Sequence, residues 1–500
     1  MSRKLADHAR ASLIALSVIT LLSFAGIVVR AQVPATQSES PEVKQLKERL
    51  KQLEQAVDEL KGKLTTIEDT QKTATAVKVS AENKPVQVID AVAKDDAILQ
   101  SPSAGKTAPR TAKNPDDPEP VNSFEVYGFA MLDAGYQFKS NHPDWYDTLR
   151  VTKLPGFEGE FAPDGKTYWG VRQSRFGVKS STATRLGELK TIFEFELFGT
   201  GVDAGQTTFR LRHAYGELGQ FGAGQYWTVF GDTDTFPNSF EYWGPPGLIW
   251  YRNVGFRWMP LKGRNSVTIG IERPGASADQ GNYADRIELD GVKPKFDMPD
   301  ITGNFRMQRD WGHVQFAGML RKISWVDTND EDDVDLSDTV WGYGTSITSA
   351  LNFSKNDVGR FSFVYGTGIQ NYFNDAPVDV GIETTAQINP LGEGTTTSIR
   401  GVTLPILGLS AFLDHRWNEK FTSAMGWSMI NIENSNGQAN DAFRRGHYAL
   451  ANIAYYPVPN VMIGSEFQWG RRENFLDGFT SNDFRIQFAF KYNFSKSIKF

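Results

Sequence analysis

Basic side chains recur between large apolar residues in this sequence with a spacing of two positions. Arg210 and Arg212 flank Leu211, and Arg485 and Lys491 lie among phenylalanines near the end of the chain. The guanidinium group is a planar cation that can form two parallel hydrogen bonds with a carboxylate. Residues two apart on a β-strand share one face. The spacing therefore predicts strand faces that attract small anions, with Arg210 and Arg212 as the leading pair.

Patterns for catalysis or metal binding are absent from the sequence. The six histidines are scattered without paired spacing, and neither a nucleophile elbow nor a phosphate-binding Walker sequence occurs. The acidic run at 327–338 does not fit a calcium loop, because Asp332 occupies the required glycine position and Asp338 replaces the final glutamate. We predict no enzyme activity, catalytic residue, metal or cofactor, and we interpret the acidic run as a solvated external loop.

The composition restricts the class of protein. The chain has 500 residues, a net charge of −6 and no cysteine, so disulfides and cysteine-bound metals are excluded and a nucleic-acid partner is not indicated. The mean hydropathy of −0.39 is too polar for a helical membrane protein. A transmembrane β-barrel, however, alternates its apolar residues with polar ones and so has an unremarkable average hydropathy.

The first 31 residues have the order of a secretory signal peptide. Arg3, Lys4 and Arg10 precede an apolar run at 11–29, and small residues follow near Ala31. This order predicts cleavage after the run, with an uncleaved membrane anchor as the alternative.

Residues 41–69 carry a strict heptad repeat, which predicts a coiled coil. Its core positions are Val43, Leu46, Leu50, Leu53, Val57, Leu60, Leu64 and Ile67. In a parallel assembly the charged flanking pairs are opposite in sign: Glu42–Lys47, Arg49–Glu54 and Lys63–Glu68. We therefore expect a parallel homo-oligomer, although the core does not decide between dimer and trimer. A single amphipathic helix docked elsewhere is the alternative. The Pro-rich stretch at 70–120 is predicted to be a linker.

Residues 121–500 predict an all-β transmembrane barrel of about sixteen antiparallel strands. The predicted strands are 124–138, 167–180, 186–199, 207–218, 221–230, 250–259, 264–273, 300–309, 312–326, 339–354, 358–373, 398–416, 420–433, 444–456, 460–473 and 482–494. Every second connection is short, and several of the others are long, as in barrels with periplasmic turns and external loops. Both termini are then periplasmic. Arg252 and Pro405 interrupt two strands, at 250–259 and 398–416.

Several segments, taken in order, resemble the DcaP-like trimeric porins of Gram-negative outer membranes. Besides the N-terminal segments, they are 124–129 (FEVYGF), 172–177 (RQSRFG), 210–215 (RLRHAY) and 224–230 (GQYWTVF). The resemblance implies a trimer of sixteen-stranded barrels in the outer membrane, a periplasmic coiled-coil stalk, and diffusive uptake of small anions such as dicarboxylates. The terminal aromatic residue used in barrel assembly would be Phe494 or Phe500.

If the apolar face touches lipid, the opposite face lines a water-filled pore. The basic residues of that face are Arg175, Lys179, Arg210, Arg212, Arg257, Arg306, Arg321, Arg360, Arg416, Arg472, Arg485 and Lys491. The acids are fewer: Asp133, Glu194, Glu196, Asp414 and Glu466. The positive excess predicts anion preference. The alternative is that the arginines pair with Glu194 and Glu196 and stiffen the wall.

The connection at 231–250 is predicted to narrow the pore by folding inward. It contains acidic and aromatic residues suited to a constriction: Asp232, Asp234, Glu241, Tyr242 and Trp243. Packing over a subunit contact is the alternative for this loop. For the whole protein, the alternatives to a porin are a structural tether, with a barrel anchor and little transport, and a secreted β-rich carbohydrate-active enzyme.

Overall fold

The structure, a computed structural model, describes residues 122–275, 286–328, 335–388 and 395–499. The predicted signal peptide (1–31), coiled coil (41–69) and linker (70–120) lie outside the described residues. So do residues 329–334 of the acidic run and Phe500.

Antiparallel strands form one closed barrel with sixteen positions around its circumference. In chain order the strands are β1 (Ser123–Gln137), β2 (Lys166–Gly170), β3 (Arg175–Thr184), β4 (Gly187–Phe198), β5 (Thr207–Leu218), β6 (Phe221–Trp227), β7 (Arg252–Leu261), β8 (Asn265–Glu272), β9 (Val292–Lys295), β10 (Asp300–Arg309), β11 (Gly312–Asp327), β12 (Asp338–Asn352), β13 (Asp357–Thr367), β14 (Val380–Ile388), β15 (Thr395–Thr403), β16 (Pro405–Arg416), β17 (Phe421–Ile432), β18 (Phe443–Tyr455), β19 (Val461–Asn474) and β20 (Thr480–Lys499). The pair β2 and β3 shares one barrel position beside β1, and β9 and β10 share one beside β11. The pair β14 and β15 forms a separate hairpin.

The barrel closes through a long pairing of its first and last strands. β1 and β20 pair from Ser123 with Lys499 to Gln137 with Arg485. The last strand therefore continues beyond the predicted end at Phe494, which pairs with Gly128. The start of β1 and the end of β20 lie at the side of the barrel that carries the short turns. The long connections lie at the other side, so the predicted sorting of loops is confirmed.

Alternation of exposed and buried side chains runs along the strands. In β20, Phe488 and Phe490 are exposed on the outside, whereas Arg485 and Gln487 are buried on the inside. An outer face rich in exposed phenylalanine and an inner polar face are typical of a barrel surrounded by hydrocarbon.

Helical structure among the described residues is limited to short 3₁₀ segments: Pro143–Trp145, Val151–Lys153, Gly201–Asp203, Thr233–Thr235 and Gln370–Tyr372. No helix in the described ranges has the length and apolar character needed to cross a membrane.

Three predicted strands are interrupted or end early for local reasons. The predicted strand 398–416 is divided at Leu404, directly before Pro405, which has no amide hydrogen to donate and opens the next strand; its first part belongs to the β14–β15 hairpin. The predicted strand 358–373 ends at Thr367, because Gly368 adopts a left-handed conformation with a φ of 63°. The predicted strand 167–180 consists of β2 and β3, separated by a turn.

We expect Phe488→Arg to lower the free energy of unfolding by about 2–4 kcal/mol, because it places a charge on the lipid face well inside the barrel wall. Phe488 is 58% exposed and pairs with Ala134 and Ser465 on the neighbouring strands. Urea unfolding in lipid vesicles measures the loss, with Phe488→Leu as the matched control. Equal unfolding midpoints for the two variants would contradict the assignment of this face to lipid.

Candidate functional site

The connection between β6 and β7 crosses the interior of the barrel and is held there by buried polar contacts. Near its start, Asp232 accepts hydrogen bonds from His313 Nε2 at 2.7 Å, from Thr348 Oγ1 at 2.8 Å and from Arg306 Nη1 at 3.1 Å. These partners lie on β10, β11 and β12. Burial opposes ionisation of Asp232, but the hydrogen bond from His313 and the charge of Arg306 hold its pKa well below the ordinary value.

A cluster of possible metal ligands at this anchor is paired with an arginine. Asp232, Asp234 and His313 place ligand atoms within 4.8 Å of one another. Arg306 forms ion pairs with both aspartates, and its guanidinium group supplies the positive charge that a cation would bring. The contacts of this cluster anchor the start of the loop.

A second anchor ties the middle of the loop to the opposite wall. Glu466, fully buried on β19, accepts hydrogen bonds from the backbone amide of Phe240 at 3.0 Å and from Ser239 Oγ at 2.9 Å. The carbonyl of Phe240 accepts from Gln173 and Gln487 at 2.8 and 3.0 Å. The loop backbone thus exchanges water for inward-facing strand side chains, which satisfies polar groups that would otherwise be buried without partners.

A third anchor joins the loop to the first external connection. Glu241 accepts hydrogen bonds from the backbone amides of Leu149 and Trp243 at 3.1 and 3.2 Å, and lies 3.7 Å from Arg485 Nη1. Burial, with a smaller contribution from the nearby Glu466, raises the pKa of Glu241 to about 7 against the opposing charge of Arg485. The charge of the Glu241 carboxyl group therefore changes near neutral pH.

A cavity of about 580 Å³ lies beside the loop, and basic residues dominate its lining. Eight cationic side chains line it: Arg150, Arg175, Lys179, Arg210, Arg212, Arg252, Arg286 and Lys491. Three acids line it: Glu125, Glu194 and Glu241. The wall of the cavity is thus strongly positive although the chain as a whole is negative.

The most concentrated positive charge surrounds two buried glutamates of β4. Arg212 lies 2.6 Å from Glu194 and 2.5 Å from Glu196. The other three arginines stand farther from Glu196: Arg252 at 3.5 Å, and Arg175 and Arg210 at 3.7 Å. Four guanidinium groups therefore share two carboxylates, and the cluster keeps a net positive charge. Tyr242 of the loop also donates to Glu196.

Aromatic rings line the other parts of the cavity. The ring of Trp250 lies 4.4 Å from those of Trp227 and Phe236. Farther along, Arg150 stands 4.1 Å from the ring of Trp145 and 4.2 Å from that of Trp243. Stacking of a guanidinium group against two rings restricts its rotation and fixes the direction of its charge.

The predicted pore-lining residues divide into two groups. Arg175, Lys179, Arg210, Arg212 and Lys491 line the cavity, as do Glu241, Tyr242 and Trp243 of the loop. The remaining predicted basic residues are not among those that line it. Arg416 is exposed at the end of β16, and the others hold backbone or acids: Arg257 (Trp227 carbonyl), Arg306 (Asp232 and Asp234), Arg321 (Gly368 carbonyl), Arg360 (Asp414), Arg472 (Leu154 carbonyl) and Arg485 (Asp147 carbonyl). The alternative of wall-stiffening pairs describes Arg212, whose two short contacts engage both glutamates.

Three lining arginines were missed by the strand pattern. Arg150 lies in an external connection, and Arg286 lies between β8 and β9, where no alternation applies. Arg252 shares the parity of the outward-facing Val254, yet at the start of β7 its side chain reaches Glu196 inside the barrel. A period of two fails at the end of a strand, where the backbone leaves the sheet.

We expect Asp232→Asn to loosen the start of the loop by about 1.5–3 kcal/mol, since it removes the charge of a buried carboxylate that accepts three hydrogen bonds, while Arg306 keeps Asp234. Protease cleavage within residues 228–251 of the detergent-solubilised protein measures the change as an increased rate. Asp234→Asn is the matched control, because Asp234 pairs with the same arginine but is one-third exposed, so its loss costs about 1 kcal/mol or less. Equal cleavage rates for the two variants would show that Asp232 is not the anchor.

Glu241 makes loop stability depend on pH. Its pKa in the folded protein lies above the ordinary value of 4.5, so the folded loop binds the proton more tightly than the unfolded chain does. The resulting stabilisation is complete below pH 4.5 and is lost as the pH rises to about 7. In the wild type we expect the free energy of unfolding to fall by on the order of 2–3 kcal/mol between these pH values, and in Glu241→Gln we expect this fall to disappear. Thermal unfolding at a series of pH values measures the difference. A variant with an unchanged pH profile would refute this assignment.

Comparisons with known proteins agree with the architecture. Residues 111–494 match a family model described as DcaP outer membrane protein. The crystal structure of the outer membrane channel DcaP of Acinetobacter baumannii is similar with a TM-score of 0.59 and 17% identity, and the match covers 75% of this chain and 97% of that one.

Two further solved structures resemble the chain more weakly. The anion-selective porin from Comamonas acidovorans matches with a TM-score of 0.47 and 10% identity, over 75% of this chain and 100% of that one. A loop-deletion mutant of OmpT from Vibrio cholerae matches with a TM-score of 0.46 and 13% identity, over 75% and 99%. At such identities the likeness concerns the fold. A comparison with curated protein sequences finds no match.

Proposed function

Because this chain belongs to the DcaP outer membrane protein family, and is therefore an outer-membrane porin, we propose that its channel passes small anionic solutes, dicarboxylates among them, by diffusion. The observation that carries this proposal is the charge of the cavity wall, with eight cationic side chains against three acids. Charged walls around a narrow aqueous space raise the local concentration of solutes of opposite sign. Cations are depleted from the same space.

The cluster around Glu196 supplies groups that can bind a solute carboxylate. Arg175, Arg210 and Arg252 lie 3.5–3.7 Å from Glu196, which is longer than a close charge-assisted hydrogen bond. The guanidinium groups of Arg175 and Arg252 can therefore turn toward a passing carboxylate at little cost. Arg212, held at 2.5 and 2.6 Å by both glutamates, stays in the wall and fixes the positions of those carboxylates.

A solute with two carboxylates suits a wall that offers more than one cationic position. Besides the cluster at Glu196, Arg150 lines the cavity between two tryptophan rings, where it also pairs with Asp375 at 2.7 Å. At each of these positions a neighbouring acid, Glu196 or Asp375, partly neutralises the positive charge. Binding at either is then weak enough to allow the solute to move on, as passage through a channel requires.

We propose that copies of the chain associate through the N-terminal heptad repeat. The opposite charges that flank the heptad core at 41–69 favour parallel helices from several copies of the chain. Because the chain enters and leaves the barrel at the turn side, we propose that the coiled coil lies in the periplasm. The linker at 70–120 would connect it to the barrel, and residues 1–31 would be removed. We propose a trimer, in keeping with the resemblance drawn from the sequence.

We expect the wild-type channel to prefer anions, and the preference to fall in Arg210→Gln and Arg252→Gln. A unit charge about 7 Å away across water contributes about 0.6 kcal/mol, favourable for an anion and unfavourable for a cation, so each substitution lowers the anion-to-cation permeability ratio by roughly sevenfold. Reversal potentials across planar bilayers in a potassium chloride gradient measure the ratio. Arg264→Gln is the control, because Arg264 is 65% exposed in a turn and pairs with Asp310.

Two results would overturn the proposal. Cation preference in the wild-type channel would refute the assignment of the basic wall. Absence of conductance from correctly folded protein would instead favour the structural tether, in which the barrel only anchors the coiled coil.

A further inference from the structure

A polar patch interrupts the apolar outer surface of the barrel on β17, β18 and β19. The strand register places Asn431, Arg445 and Glu473 in one row across the three strands. The next row contains Met429, His447 and Arg471. We call the polar members of these two rows, with Asn431 included, the rim patch: Asn431, Arg445, His447, Arg471 and Glu473.

The rim patch is organised by contacts that leave part of each guanidinium group available. Arg445 donates from Nε to Asn431 at 2.9 Å and has Nη1 3.7 Å from Glu473, while Arg471 donates from Nε to Glu473 at 2.9 Å. Among the described residues, no hydrogen bond engages Nη2 of Arg445 or either Nη of Arg471. The two arginine side chains are 37% and 36% exposed. One glutamate thus holds two cations in place, and the patch keeps a positive charge.

Aromatic residues directly below the rim patch mark its depth in the membrane. In the next row of outward-facing residues, Ala449 lies between Trp427 and Trp469 on the neighbouring strands. The ring of His447 lies 5.7 and 6.2 Å from the two indoles. Tryptophan girdles occur at the boundary between hydrocarbon and headgroups. Charges are costly at the bilayer centre but cost little near this boundary, so the patch lies at headgroup level.

Arg471 and Arg472 are adjacent in sequence but face opposite sides of the barrel wall. Arg472 follows Arg471 directly, but it faces the interior and donates to the carbonyl of Leu154 and to Asn474 Oδ1. Its role is to hold the first external connection. Arg471 has no such structural task and points its charge toward the surrounding lipid.

The rim patch belongs to the outer leaflet. It lies at the end of the barrel with the long connections, opposite Ser123 and Lys499. In an outer-membrane barrel that end faces the outside. The lipid headgroups at this level are those of the outer leaflet, where phosphates on a glycolipid carry the negative charge.

We propose that the rim patch binds a phosphate group of the outer-leaflet glycolipid, the lipid A portion of lipopolysaccharide. Phosphate oxygens accept hydrogen bonds from guanidinium groups in pairs, and Arg445 and Arg471 provide them from adjacent rows. The acyl chains of the same molecule would lie along Trp427, Trp469 and Phe467. This site is independent of the solute that passes through the lumen.

The test compares lipid binding by the full-length protein and a double variant, Arg445→Gln with Arg471→Gln. Native mass spectrometry of the detergent-solubilised protein, titrated with diphosphoryl lipid A, measures retained lipid. The double variant is expected to bind about tenfold less tightly or worse, since hydrogen bonds to charged groups are lost. Lys496→Gln is the control, because Lys496 is an exposed cation of the same outward parity at the opposite end of β20. This control is expected to bind like the wild type.

Unchanged single-channel conductance shows that the double variant is folded, since neither arginine lines the cavity. Binding of lipid A that is unaffected by the double substitution, or equally reduced by Lys496→Gln, would overturn the proposal. Equal retention of phosphatidylglycerol by the wild type would reduce the site to a general anionic surface and also overturn it. Loss of oligomers in the double variant would identify the patch as a subunit contact instead.

Discussion

A loop that crosses the interior of a barrel must find partners for its backbone amides, because the walls displace the water that would otherwise bind them. The strands supply partners from inward positions: Glu466 accepts from the backbone amide of Phe240 at one wall, and at the other His313, Thr348 and Arg306 hold the carboxylate of Asp232. The position of the loop, and hence the shape of the cavity beside it, depends on these buried pairs. The aromatic lining and the arginine cluster around Glu196 are arranged around a loop fixed in this way.

Glu194 and Glu196 illustrate how one group of charges can serve both structure and passage. Without them, four guanidinium groups would repel one another at the wall. With them, Arg212 is held tightly while Arg175, Arg210 and Arg252 remain at longer distances. The same two carboxylates therefore stabilise the wall and limit how strongly it attracts an anion, which keeps the wall from becoming a trap.

Periodicity predicted the barrel from the sequence because lipid outside and polar groups inside impose a period of two on every strand. It also placed Arg175, Arg210 and Arg212 on the inner face, where the structure has them. It could not separate residues that line the cavity from those that hold loops. Arg306 and Arg485 have the same inward parity as the lining arginines and differ from them only in the loop groups that they contact. Arg150 and Arg286 lie outside the strands, and Arg252 turns inward at a strand end. Their positions depend on tertiary contacts that no local pattern contains.

The seam between β1 and β20 has a consequence for biogenesis. Its partners, from Ser123 with Lys499 to Gln137 with Arg485, stand hundreds of positions apart along the polypeptide. Until the final strand has been delivered, the sheet has two unsatisfied edges, and an exposed edge invites pairing with other chains. Sealing is thus a late event with the longest possible sequence separation. A nascent chain that lacks its last twenty residues would remain an open ribbon in need of a protein that shields both margins.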